Sequence, residues 1–518
     1  MSKKIFTYIA AAMMGVASLT SCNDYFDLRP TDQMVLDEYW QSEGDVLAVT
    51  MECYRAMASY DYIKRLIVWG ELRSDNVIVD PGNGDGNITY IGNLNLLPSN
   101  GYTSWTAFYN VINLCNTVEH FAPIACDNDP NFTRAQLNGY IAEVKGIRAY
   151  TYFTLVRAFR DVPFVTNPTI DDTQEFQMAQ EDPDTLIDWL IDDLKAVEPT
   201  ATTTWSNTAY TKGRMSQAAI RAIIADMCLW RGRYDEAVEY CDLILNDTNN
   251  PLALETATAL ARSVFIAGNS KESIFELQMS SNTVDNGALR DSYGLKDMGH
   301  AMQMSPYDFE GTNTSIYDKD DIRGRAFIYS NSDGAMMAKY NMAIDPTALT
   351  ATSVGRWDYT TYSNVGDRNW IIYRLPDIYF IKAEALAESG SRLEEAFRLA
   401  ARTYERAHLS LEEGELNYAD YSANVIEFIF KERQRETIFE GKRYFDLIRR
   451  ISHHRSDFNN IISSTLIPKY ADLDRTTVTT KLSTFDALFM PINDTEMRSN
   501  LLLKQNPFYR TSSDINLN

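Results

Sequence analysis

Between residues 215 and 245 apolar side chains fall at Ile220, Ile223, Ile224, Met227 and Cys228. Steps of three and four put them on one face of a helix. Gly232 breaks the run, and a second one resumes with Tyr234, Ala237, Val238, Cys241 and Ile244. The stretch 371–408 repeats the scheme with Ala383, Glu384 and Ala387, a Ser389-Gly390-Ser391 turn, then Leu393 and Ala396. The same periodicity predicts helices over 45–59, 105–121, 134–159, 184–197 and 425–440. Trp69, Trp105, Trp189 and Trp230 lie in or beside these patterns and are assigned to the core. Two stretches carry no such period. Residues 80–104 are full of Gly, Asn and Asp, and 280–369 are rich in Asn, Asp, Gly, Tyr and Trp. Long loops in a compact domain are usually functional or disordered, and their aromatic content argues against simple disorder.

Ala225, Gly232, Tyr234 and Ala237 stand where a tetratricopeptide hairpin has small, turn, aromatic and small residues. The expected architecture is therefore mostly α. It is a tetratricopeptide-like scaffold of helical hairpins with a large irregular region that carries the ligand site.

The amino terminus has a different pattern. Lys3 and Lys4 precede an uncharged stretch from Ile5 to Leu19, which closes in Leu19-Thr20-Ser21-Cys22. A leader of this kind directs export, and Leu-Thr-Ser-Cys resembles the bacterial lipobox. Residues 1–21 are then a lipoprotein signal peptide, Cys22 is the lipidation site, and 22–40 form a tether. A single acyl chain anchors only marginally, so the expected modification carries more than one. Asn23, Asp24 and Asp27 resemble the surface-export signal of Bacteroidetes lipoproteins.

Charge agrees with export and narrows the partners. The chain has 518 residues and a formal net charge of −23; losing the two leader lysines gives −25. Such a surface repels nucleic acid and anionic headgroups. Beyond Cys22 five cysteines remain, an odd number without a C-x-x-C, which reads as buried free thiols.

Catalytic signatures are missing. The five histidines fall in no H-E-x-x-H, and there is no G-x-S-x-G elbow, Walker loop or dinucleotide fingerprint. The acidic runs 80–86 and 318–321 only loosely echo a calcium loop and read as solvated acidic segments, so no metal or cofactor is expected.

Four segments carry a family resemblance. "AEVKGIRAYTYFTLVRAFRDVPFVT" (142–166), "YRLPDIYFIKAEALAESG" (373–390), "ERQRETIFEGKRYFDLIRR" (432–450) and "MPINDTEMRSNLLLKQNPFY" (490–509) resemble, in order, motifs of the SusD/RagB family of outer-membrane nutrient-uptake lipoproteins. The chain departs from them at Arg160, where Gly is common, at Asn493 for a second Pro, and at Phe508 for a Gly. Independently of the family, Arg443 with Asp446 and Arg374 with Asp377 are spaced as ion pairs, and Gly441 can end the 425–440 helix at positive φ. The resemblance implies a SusD-like domain over 41–518 and a cell-surface lipoprotein of the outer membrane. It implies capture of an oligosaccharide and its delivery to a TonB-dependent, SusC-like transporter, by binding without turnover.

Loops rich in rings suit sugars. One sugar face is all C–H; a ring covering about 50 Å² of it gains roughly 1 kcal/mol. Micromolar affinity requires about 8 kcal/mol, so several rings and hydrogen bonds must converge. The candidates are Tyr90, Tyr102, Tyr293, Tyr307, Trp357, Tyr359 and Tyr362, with Asn282 and Asp285 as polar partners. Two alternatives predict other features. An outer-membrane assembly scaffold would show regular repeats without aromatic loops, and a glycoside hydrolase would carry a carboxylate pair across a cleft.

Overall fold

The computed structural model describes residues 39–170, 174–294, 301–305, 316–331, 334–340, 365–390 and 392–510. Chain order gives helices α1 Glu43–Met57, α2 Tyr60–Ile67, α3 Gly86–Gly92, α4 Thr106–Asn128 and α5 Arg134–Phe159, then α6 Pro183–Val197, α7 Gln217–Trp230, α8 Tyr234–Leu245 and α9 Gly287–Tyr293. After these come α10 Leu375–Glu388, α11 Leu393–Ala407, α12 Val425–Thr437, α13 Arg443–His453 and α14 Phe458–Ser464. The four strands that matter here are β1 Val77–Val79, β2 Ser273–Leu277, β3 Met302–Met304 and β4 Trp370–Arg374.

Local chemistry sets the ends of these helices. Thr133 and Gln136 form a reciprocal capping box at the start of α5. The helix stops at Phe159 because Arg160 turns to φ +72, the left-handed geometry for which glycine is favoured. Its guanidinium holds Asp486 at 2.6 Å and Asp161 at 3.0 Å. Asn493 instead caps a short helix, accepting from the Thr495 N–H and donating to Asn100 and Thr103.

The predicted hairpins are present. α7 and α8 pack as one pair and α10 and α11 as another, with α8 against α10. Gly232 and Gly390 take φ +70 and +69 at the two turns. α4 and α5 form the other long antiparallel layer, with α1 across α4. Cys53, Cys115, Cys126, Cys228 and Cys241 are unpaired and buried. Among the described residues no helix is long and apolar enough to cross a membrane.

Some expectations need correction. The 45–59 helix is followed, after a break at Ser59, by a second one that begins at Tyr60. The irregular stretches contain α3, α9, β3, a helix at Ile322–Phe327 and a hairpin of Ile328–Asn331 with Gly334–Met337. Trp189 is 39% exposed, edge-on to Phe164, rather than in the core. α12 ends at Thr437, three residues short of the expected end; Phe439 at φ +68 and Gly441 at φ +70 shape the turn that follows.

The two spaced pairs are not ion pairs. Asp377 accepts from the Arg374 backbone N–H at 3.0 Å as a helix cap. Asp446 pairs with Arg433 at 2.7 Å and Arg449 at 2.9 Å, while Arg443 reaches Asp75 at 2.8 Å. In both cases the guanidinium is buried and finds a fuller set of acceptors across the fold than a neighbour in sequence provides.

Arg374, at the end of β4, is wholly buried. Its five N–H donors go to Glu440 Oε2 (3.1 Å), Glu440 Oε1 (2.7 Å), Glu272 (3.1 Å), Glu436 (2.6 Å) and the Glu436 carbonyl (2.9 Å). Arg406 bridges Glu272 and Glu436 at 2.8 and 2.5 Å. Arg323 joins Asp321, Glu432 and Glu436 at 2.7, 2.7 and 3.0 Å. Lys339 donates to Glu440 at 2.6 Å and to the carbonyls of Glu436 and Ile438. Burial pushes the Lys339 ammonium down to about 8 against the pull of Glu440. Burial alone would raise Glu436, but Arg406, Arg374 and Arg323 together hold its carboxyl well below the usual range.

Removing one member of such a network strands the others without a partner. Arg374→Met is expected to cost about 3–5 kcal/mol. Denaturant unfolding of the purified variant checks this; a shift of under about 1 kcal/mol would show the network to be dispensable.

Candidate functional site

The two irregular stretches meet on α2. Ser59 caps that helix, so Tyr60 opens it at the surface, 44% exposed. One turn on, Lys64 and Arg65 reach in opposite directions. The Lys64 ammonium donates to Ser292 of α9 at 2.8 Å. Arg65 donates to the carbonyls of Ser104 and Gly101 at 2.8 and 3.0 Å and to the Asp61 carboxylate at 3.1 Å. The buried Trp69 indole adds a bond to the Tyr102 carbonyl at 2.8 Å. The 101–104 turn and the 287–293 helix are thereby fixed to one rigid element.

Around Tyr60 lie Asp61, Asp85 and Asp291. Partial burial, then the bonded Asp291 carboxylate, pushes the Tyr60 phenol up to about 12. Burial lowers Lys64 to about 8 while Asp291 and Asp85 oppose the fall. Asp85 caps α3 through the Asn87 N–H and accepts the Tyr102 hydroxyl at 2.8 Å. Burial, followed by that carboxylate, raises the Tyr102 phenol. Arg65 stands 6.0 Å over the Tyr102 ring. The result is a surface of the Tyr60 and Tyr102 rings with the Asp61, Asp85 and Asp291 carboxylates, backed by buried Lys64 and largely enclosed Arg65.

The second loop closes beside it. Asn286 caps α9 by accepting from the Leu289 N–H at 3.1 Å, while its own N–H donates to the Gly366 carbonyl at 2.9 Å and its side-chain amide to the Arg368 carbonyl at 2.8 Å. A Cβ at Gly366 would come within 1.7 Å of Asp285 Oδ1, so only glycine allows this approach. The 280–286 segment is thus pinned to 365–369.

The candidate residues separate into groups. Tyr90 is on α3, 55% exposed. Tyr102 is half-buried, its hydroxyl already engaged by Asp85. Asn282 and Asp285 are exposed at the pinned segment, and Asp285 pairs with Arg290 at 2.9 Å. Tyr293 is corrected: it is 1% exposed, between Tyr340 and Phe439, because the inner face of α9 packs on the core. Tyr307, Trp357, Tyr359 and Tyr362 lie outside the described residues, as does Cys22.

Tyr60, Lys64, Arg65 and Asp291 were missed. Their available signal was Ser59 as a helix cap and two cations in the apolar run "IKRLIVW". The acidic runs have partners of their own. Asp80 accepts from the Gly82 N–H, and Asp321 serves Arg323. Among the described residues no group of three or more His, Cys, Asp or Glu is arranged to hold a metal.

A helical-hairpin scaffold that displays a loop-built polar and aromatic surface defines the class. Residues 307–509 match the model of the SusD family. The chain is 23% identical over 483 residues to SusD-like protein P38 of Formosa agariphila, covering 86% of this chain and 90% of that one. It also resembles the solved structure of a SusD homolog from Bacteroides thetaiotaomicron, with TM-score 0.69 and 20% identity over 91% of this chain and all of the other. A laminarin-binding SusD-like protein aligns with TM-score 0.65 and 21% identity over 90% of this chain and all of the other. The match to the SusD family model over the carboxy-terminal part and the likeness to SusD-like proteins along most of the chain agree with the SusD/RagB resemblance of its motifs.

One anchor of the loop region titrates. His408 Nε2 faces the Asp318 carboxylate at 3.0 Å, and Tyr404 stacks on its ring. Burial alone would lower His408, but its bonds to Asp318 and the Tyr404 carbonyl outweigh this and raise it. Asp318 is lowered, chiefly by its hydrogen bond to His408. A raised histidine stabilises below its unfolded value of about 6.5 and loses that contribution as pH rises through the folded value; a lowered aspartate stabilises above about 3.9 and loses it as pH falls. Thermal melts should therefore separate the protein from His408→Gln most at about pH 5–6 and least above about pH 8. A pH-independent gap would refute the pairing.

Proposed function

We propose that this chain is a cell-surface lipoprotein that captures oligosaccharide and passes it to a partner TonB-dependent transporter of the outer membrane. The observation that carries the reading is the convergence on α2 of the 80–104 and 280–294 segments, with exposed Tyr60 among the Asp61, Asp85 and Asp291 carboxylates and exposed Tyr90 on the helix that Asp85 caps. Aromatic faces take the C–H side of a sugar, and the polar groups between them take its hydroxyls. The laminarin-binding SusD-like protein of the same fold supports a glucan or related glycan as cargo. Reversible capture requires no group with a pKa tuned for proton transfer. Acylation of Cys22 is proposed to hold the chain at the outer leaflet; the expected 22–40 tether is shortened, because Trp40 is 1% exposed and stacked on Phe121 in the scaffold.

Tyr90, Tyr102, Asn282 and Asp285 stay in the proposed site, joined by Tyr60, and Trp357, Tyr359, Tyr362 and Tyr307 are proposed to complete it. Affinity electrophoresis in gels containing laminarin and a panel of neutral polysaccharides tests this. Tyr90→Ala and Trp357→Ala are each expected to weaken retention by about fivefold, roughly 1 kcal/mol per lost ring. Retention unchanged in both variants would remove the site. Radiolabelled palmitate should enter the chain and be absent from Cys22→Ser; equal labelling of both would remove the anchor.

A further inference from the structure

A second cleft opens at the other end of the β1–β3 ribbon. Those strands pair antiparallel from Val79 with Met302 to Val77 with Met304. Asp80 and the surface built on α2 follow one end; Asp75 and Ser305 border a cavity of about 670 Å³ at the other. That volume is typical of a small-ligand pocket, about 300–1,000 Å³. Its walls are α12, α13 and the 457–469 segment.

α12 turns one stripe to the cavity, with Glu427, Phe430, Lys431, Gln434 and Arg435 at helical spacing. The cations there outnumber their counter-ions. Glu427 serves both Arg450 at 2.6 Å and Lys431 at 3.6 Å. Glu432, the partner of Arg435 at 3.3 Å, is also held by the buried Arg323 at 2.7 Å. Arg443 and Lys469 also line the cavity, Arg443 held by Asp75 at 2.8 Å and Lys469 donating to the Ser74 carbonyl at 2.8 Å, and Asp457 adds a carboxylate to the rim. This is an island of positive charge on a chain of net −23.

The opposite rim has the reverse polarity. Ser463 and Ser464 donate their hydroxyl protons to the Asn460 carbonyl at 3.0 and 2.8 Å. Thr465 donates its own to the Ile461 carbonyl at 2.6 Å. With their protons committed, these oxygens offer lone pairs only. Phe430 presents no free face, since Arg443 and Arg450 cover it at 4.1 and 4.3 Å. The cleft thus sets a wall rich in cations, where Asp75 and Glu427 are already engaged by Arg443, Arg450 and Lys431, against an acceptor rim, and Phe430 offers no open face to stack on. The complement is a molecule with an anionic group on one side and hydroxyl donors on the other.

We propose that this cleft is a second saccharide site, specific for an acidic sugar whose carboxylate or sulfate faces Lys431, Arg435 and Arg450 and whose hydroxyls face Ser463, Ser464 and Thr465. It stands apart from the surface on α2, so either can fail alone.

Titration calorimetry of the purified chain, at low and high salt, uses four probes: trigalacturonate, a sulfated galactose trimer, the neutral galactose trimer and inorganic sulfate. One or both acidic trimers should bind, with affinity falling as salt rises. Lys431→Glu, at an exposed side chain, should weaken that binding about tenfold. Ser464→Ala should weaken it about threefold, the loss of one net hydrogen bond. Laminarin retention should be untouched by Lys431→Glu and weakened about fivefold in Tyr90→Ala, which separates the two sites. The proposal is overturned if neither acidic trimer binds, if Lys431→Glu binds as well as the parent, or if inorganic sulfate competes as strongly as the trimers. Preference for carboxylate over sulfate, or the reverse, identifies the acidic group.

Discussion

A guanidinium with no exposure to water, Arg374, sits among Glu272, Glu436 and Glu440, and much of the molecule is arranged to keep it satisfied. Each buried ion carries a desolvation cost of several kcal/mol, offset only when charge and hydrogen bonds are matched together. Matching is complete at Arg374, whose donors all have acceptors, and at Lys339, whose ammonium has three. The geometry follows from that completeness. Shifting the 432–440 stretch by one residue would put Lys431, Arg435 and Phe439, or Arg433, Thr437 and Gly441, where the three glutamates stand and leave buried guanidiniums without acceptors.

The network also holds the roots of the loops. Asp321 and Arg323 follow the 306–315 stretch; Lys339 precedes 341–364 and Arg374 follows it. Their partners all lie on 432–440 or against it, so the residues that flank both stretches share one clamped base. Glu71 extends the clamp toward the amino-terminal half by accepting from Asn76 and from the Phe439 and Gly441 N–H groups. Recognition loops gain most from such a base, since a rigid root limits the order that must be imposed on binding.

Which parts of this were legible follows from the range of the interactions. The helices of both hairpins were readable because their apolar period is local, and the loop regions because Gly, Asn and Asp interrupt it. β2 and β4 were not. Every residue of Ser273–Leu277 and Trp370–Arg374 is buried, so no alternation marks them, and they pair across about a hundred residues. The ion pairs failed for the same reason: spacing of three proposes a neighbour, while burial selects a partner such as Asp75 for Arg443 from elsewhere in the chain. Tyr293 was read as surface because a helix as short as Gly287–Tyr293 does not announce its inner face in sequence, and Trp189 was read as core because a large ring in the apolar pattern of α6 does not reveal that it stands at the exposed edge, against Phe164. Of the surface on α2, the loops were found and the element that organises them was not.

Shifted pKa values often mark chemical sites, and in this chain they mark structure. Glu71, pushed up to about 7 by burial, is enclosed by an amide and two backbone N–H groups. Lys339 is as far from water, enclosed by two carbonyls and a carboxylate. Both are wholly buried, so no solute reaches the proton that either would exchange. The accessible groups are different in kind: Tyr60 and Tyr90 at one end of the β1–β3 ribbon, Lys431 and the Ser463–Ser464 hydroxyls at the other, all exposed. Charge in the interior fixes position, and polar groups at the surface are free to exchange water for a hydroxylated ligand at small cost, because each hydrogen bond to water is replaced by one of similar strength.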